Sequence, residues 1–119
     1  MKQEDKELLF KDLCARIPYS VKLNIINRDP KNRIVELTED NICHLANDWW
    51  SECKPYLFPM SSMTEEQKEE HKDLLDNQYS FDANGNIFTV QDFYCKYHLD
   101  FRGLIPMGLA IDCTNLNIY

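Results

Sequence analysis

Pro18 stands where the sequence changes period, and that change sets the fold class. Before it, Leu9, Phe10, Leu13, Cys14 and Ile17 recur at helical spacing, with Lys and Glu residues opposite, so residues 4–17 are expected to form an amphipathic helix. Proline disfavours helical geometry in the residue that precedes it, which ends the helix at Ile17. Beyond it, Tyr19, Val21, Leu23 and Ile25 alternate with Ser20, Lys22 and Asn24, the pattern of a half-buried strand. Turn formers over residues 27–32 and the β-branched run Arg33-Ile34-Val35-Glu36-Leu37 make the pair a hairpin. Helix followed by hairpin predicts an α+β fold: a small antiparallel sheet packed by N-terminal and C-terminal helices.

Further along, Ile42, Leu45, Ala46, Trp49 and Trp50 fit a second helix with Thr38 or Asp40 as cap, although its aromatic end suits a strand equally. Lys54-Pro55-Tyr56-Leu57-Phe58-Pro59-Met60 cannot be helix, because two prolines four apart remove donors, and it reads as an ordered apolar connector. Thr64-Glu65-Glu66-Gln67 is a capping box opening a charged surface helix to about Asn77. Residues 82–86 form a turn, and Thr89 caps a helix carrying Val90, Phe93, Tyr94 and Tyr97 on one stripe.

The 119 residues fit one domain, 1–119, and can bury a core without disulfides or a metal. Thirteen basic against twenty acidic residues give a net charge of −7, which opposes binding to nucleic acid or anionic lipid. No apolar stretch is long enough to span a bilayer, and residues 1–7 lack the features of a secretory signal. Five scattered cysteines suit reduced thiols in a cytoplasmic protein.

Candidate chemistry is sparse. Cys43, His44, Cys53, Cys95 and His98 lack the close pairs of a zinc site. Asp82, Asn84 and Asn86 alternate like calcium ligands, but Gly85 and Phe93 occupy the wrong places for that loop. Neither a metal nor a cofactor is expected. A thiol meeting His44, His71 or His98 would be needed for a small cysteine-dependent or hydrolytic enzyme, and no motif of such an enzyme is present. Adjacent helical residues diverge by about 100°, so Trp49 and Trp50 cannot both face a core except at its edge. With Tyr56 and Phe58 they are the candidate protein-binding residues, beside an acidic helix holding Glu65, Glu66, Glu69, Glu70, Asp73 and Asp76.

Three stretches, Asp12-Leu13-Cys14-Ala15-Arg16-Ile17-Pro18-Tyr19, Lys54-Pro55-Tyr56-Leu57-Phe58-Pro59-Met60-Ser61-Ser62-Met63-Thr64 and Asp100-Phe101-Arg102-Gly103-Leu104-Ile105, resemble a group of small uncharacterised proteins of Bacteroides-type gut bacteria and their phages. The resemblance implies an accessory protein of a phage or mobile element, made in a bacterial cytoplasm and acting by binding another protein. The reading is therefore a non-enzymatic protein-interaction module, with an acidic, anti-CRISPR-like inhibitor of a host defence nuclease or the small enzyme as alternatives.

Overall fold

A computed structural model describes residues 3–25, 33–44 and 53–119. The turn expected at 27–32 and the positions of Leu45, Ala46, Trp49 and Trp50 lie outside the described residues. Helix α1 (Gln3–Arg16) runs into a 3-10 turn (Ile17–Tyr19), then come strands β1 (Lys22–Ile25) and β2 (Arg33–Glu36), helix α2 (Glu39–His44) and strand β3 (Cys53–Leu57). A second 3-10 turn (Met60–Ser62) leads to α3 (Glu65–Asn77), β4 (Tyr79–Phe81), β5 (Ile87–Thr89), α4 (Val90–Lys96) and β6 (Ile111–Asp112). The mixed α+β fold with a small, mostly antiparallel sheet is the one that the change of period at Pro18 announces.

The main sheet has the order β2-β1-β3-β6, with β1 antiparallel to both neighbours and β6 parallel to β3. The segment expected to be a connector is thus an interior strand. Its Pro55 is tolerated there because of direction. The Leu57 carbonyl accepts from the Cys113 amide on the β6 side, and alternate residues of a strand point their backbone groups the same way. The missing donor of Pro55 therefore faces the β6 edge, where pairing starts only at Tyr56 opposite Ile111, so no bond to β1 is lost.

The first core is aliphatic: Leu9 and Leu13 of α1 pack with Val21, Leu23, Leu37, Leu57 and Leu104, all at most 1% exposed. The buried face of α1 is rotated from the expected one. Phe10 and Cys14 are exposed, whereas Asp12 and Arg16 are wholly buried. They are admitted because they pair: Arg16 donates twice to the Asp12 carboxylate (2.7 and 3.2 Å) and once to the Leu99 carbonyl (2.7 Å), and Arg102 adds a donor to Asp12 at 3.1 Å. A buried charge is costly unless it is paired and hydrogen-bonded; here Arg16 Nε and Nη2 are bonded, while its buried Nη1 has no hydrogen-bond partner among the described residues. Phe101 lies beneath both guanidinium groups, at 5.4 and 4.7 Å.

The second core is aromatic. Leu74 of α3, Phe93 of α4 and Leu99 form its centre, flanked by Phe58, Met63, Phe88, Tyr94 and Tyr97. Both helices begin as expected. At α3 the Gln67 amide donates to Thr64 Oγ1 while Thr64 donates to Gln67 Oε1; at α4 Thr89 and Asp92 do the same. Asp100 closes the next turn by accepting from the amides of Leu104 and Ile105 at 2.8 and 2.9 Å.

Candidate functional site

Residues 79–89 fold into a hairpin that pairs with no further strand among the described residues. Its tip is built by local chemistry. The Asp82 carboxylate accepts from the amides of Asn84 and Asn86 at 2.9 Å each, the Gly85 amide returns to the Asp82 carbonyl, and Gly85 takes the left-handed φ of +81° that closes such a loop. This accounts for the Asp-x-Asn-x-Asn spacing as a turn. The register sets Tyr79 opposite Thr89, Ser80 opposite Phe88 and Phe81 opposite Ile87. Phe88 packs into the aromatic core, so Tyr79, Phe81 and Ile87 share the outward face. They are 50%, 65% and 63% exposed. The Tyr79 and Phe81 rings meet edge to face at 5.7 Å, a preassembled aromatic pair.

One residue, Gln78, with a φ of +69°, turns the chain from α3 into this hairpin, and Leu75 on the last turns of α3 is 57% exposed beside it. Glu65, Glu66, Glu69, Asp73 and Asp76 are exposed along α3. Its last turn holds no basic residue. Carboxylates at a helix C-terminus oppose the macrodipole, at a cost of about 0.3–1 kcal/mol each, so folding alone does not favour Asp76 where it stands.

The sequence-predicted anchors divide. Tyr56 is 7% exposed, a core residue of β3, and cannot serve as a surface anchor. Its place in an interior strand explains this, since alternation alone does not reveal how many layers cover a strand. Phe58 is half-buried against the aromatic core, and Trp49 and Trp50 lie outside the described residues. The outward face of the hairpin was missed by sequence reasoning, although Tyr79, Phe81 and Ile87 around a turn motif carried the signal.

Cys53, Cys95 and Cys113 are buried, whereas Cys14 is exposed. Burial pushes Cys53 up to about 12 and Cys95 and Cys113 up to about 11, so these sulfurs are protonated and poorly nucleophilic at neutral pH. The His71 Nε2 pairs with the Tyr94 hydroxyl at 2.7 Å, and its ring stacks on Phe93. Among the described residues no three His, Cys, Asp or Glu side chains converge as metal ligands do. No described helix is long and apolar enough to cross a membrane.

A cleft of about 340 Å³ opens at the other end of α3 and α4, between the start of α3 and residues 96–99. Phe58, Tyr97, His98 and Tyr119 supply aromatic walls, and Lys96 and Gln67 stand at its rim. His98 takes a φ of +56°; its carbonyl accepts from the Phe58 amide at 2.8 Å, and its ring stacks on Tyr119 at 3.7 Å. Burial, with Arg16 and Lys22 nearby, lowers His98 to about 4, so its imidazole is neutral at physiological pH. Tyr119 is tied down at its far end: its hydroxyl accepts from the Lys22 amide and donates to the Tyr56 carbonyl, both at 2.8 Å.

Set against protein-family models, curated proteins and solved structures, the chain matches none.

Proposed function

We propose that this protein is a non-enzymatic binding module that docks a basic partner protein on the outward face of the β4–β5 hairpin, oriented by the acidic surface of α3. The observation that carries this reading is the exposed triad Tyr79, Phe81 and Ile87 on one face of a short hairpin whose other face is anchored in the core. Clustered, preordered aromatic and aliphatic side chains supply anchor energy at interfaces, and contiguous apolar patches of this kind mark interaction sites. The partner's chemistry follows from charge. Carboxylates along α3 and a net charge of −7 repel a second copy and attract a surface rich in Lys and Arg around an apolar depression. An inhibitor that occupies a basic, nucleic-acid-binding groove is one form of this reading.

The test is affinity capture from a bacterial lysate, with wild type compared against Phe81→Ser and the double charge variant Asp73→Lys/Asp76→Lys. A specific partner should be recovered by wild type at low salt, lost with Phe81→Ser, and weakened by the charge variant. Equal capture by all three proteins overturns the reading. So does a concentration-dependent homodimer in sedimentation that Phe81→Ser dissolves, because the triad then serves self-association.

A further inference from the structure

We propose that the cleft beside His98 binds a small planar aromatic carboxylate, its ring held among Phe58, Tyr97 and Tyr119 and its carboxylate on the Lys96 ammonium. This proposal is independent of the hairpin. A volume of about 340 Å³ falls at the small end of ligand-binding clefts, room for a molecule of one or two rings. Tyr97, His98 and Tyr119 line the cleft with aromatic surface, and His98 stacked on Tyr119 at 3.7 Å, with the Lys22 ammonium over the Tyr119 ring at 5.6 Å, makes a rigid wall.

The charge of the cleft runs against that of the molecule. In a chain with twenty acidic residues, no lining side chain of the cleft is a carboxylate, the Glu70 carboxylate standing behind Tyr97 and accepting from its hydroxyl at 2.9 Å, and Lys96 is the lining side chain that carries a full charge. Lys96 forms no salt bridge among the described residues. Its ammonium instead rests over the Phe88 and Tyr97 rings, at 5.7 and 5.2 Å. It is therefore positioned without being neutralised. Gln67 adds a second donor: its Oε1 is held by the Thr64 amide in the α3 cap, which fixes the amide plane and leaves the NH2 group free to donate. One ammonium and one amide donor suit a monoanion; a phosphate dianion is ordinarily met by several cations or a nest of backbone amides. The imidazole of His98 is neutral, so it adds no charge to the wall although its buried Nδ1 has no hydrogen-bond partner among the described residues, and the aromatic lining favours a flat ring over an aliphatic acid.

Titration of the full chain with indole-3-carboxylate, followed by amide NMR shifts, tests this. Shifts should concentrate at residues 58, 67 and 96–99, saturate at submillimolar probe, and remain in Phe81→Ser. Indole-3-carboxamide, of the same shape without charge, should bind at least tenfold more weakly, as should cyclohexanecarboxylate, which has the charge without the flat ring. Lys96→Met and Lys96→Gln should each lose about tenfold in affinity with the thermal midpoint unchanged. Should one variant fail to fold, the other and the two control ligands decide. The proposal fails if millimolar probe produces no localised shifts, if the carboxamide binds as well as the carboxylate, or if removing the Lys96 charge leaves affinity unchanged.

Discussion

In and just before β1 the large apolar side chains Leu23 and Val21 are wholly covered, whereas in the β4–β5 hairpin Tyr79, Phe81 and Ile87 stand half to two-thirds exposed. Both segments belong to antiparallel hairpins and both alternate. The difference lies in what surrounds them. β1 has a strand on each edge and shares its aliphatic core with α1, while among the described residues β4 and β5 pair only with each other, and their inner face is held chiefly by Phe88. Alternation assigns side chains to faces; only tertiary structure decides which face is covered. An apolar face left open after folding points to a use other than stability.

The comparison can be broken most forcefully at the buried cluster that closes the aliphatic region. Asp12→Ala leaves the Arg16 guanidinium buried without its counterion and should destabilise the protein by about 3–5 kcal/mol in chemical denaturation. A loss under about 1 kcal/mol would mean that this region is more open than described.

Next in size, Leu23→Ala in β1 should cost about 2–5 kcal/mol, through lost burial and the cavity left behind. Phe81→Ser should fall within about 0.5 kcal/mol of wild type, because its ring contributes little to the folded core. Equal losses at the two positions would erase the distinction between the hairpins.

A further effect, confined to acid pH, is expected at the cleft, away from the β4–β5 hairpin. His98 titrates near 6.5 when unfolded and about 4 when folded, so between those values the unfolded chain binds more protons. Its contribution to stability is therefore complete above pH 6.5 and is lost as the pH falls toward 4. His98→Asn keeps a residue that tolerates the left-handed backbone and removes the titration, so it should flatten the stability profile in that window relative to wild type. Parallel profiles would show that the imidazole is well solvated.

Much of this architecture could be read in advance. The change of period at Pro18, the capping box at Thr64, the cap at Thr89 and the turn at Asp82 are local signals, and local signals determine local structure. The misses share one physical cause, dependence on residues distant in sequence. Asp12 and Arg16 are buried because Arg102 and the Leu99 carbonyl come to them from about ninety positions away. Pro55 enters an interior strand because β6 begins one residue too late to need its donor. Tyr56 is core and no anchor, because aromatic content alone does not distinguish a core strand from a surface. The hairpin triad was passed over for the converse reason, since nothing in a short apolar alternation states that its outer layer will be missing.

The Tyr119 hydroxyl, inserted between the Lys22 amide and the Tyr56 carbonyl, makes the final stretch of chain the last rung of a ladder that the strands themselves do not complete. The Lys22 ammonium holds the same stretch by donating to the Ile118 carbonyl at 2.8 Å. Each time this stretch lifts away, the Lys22 backbone proton meets solvent. Its deuterium uptake thus records how often residues 118–119 leave their seat, separately from opening of the Leu23 pairings deeper in the sheet.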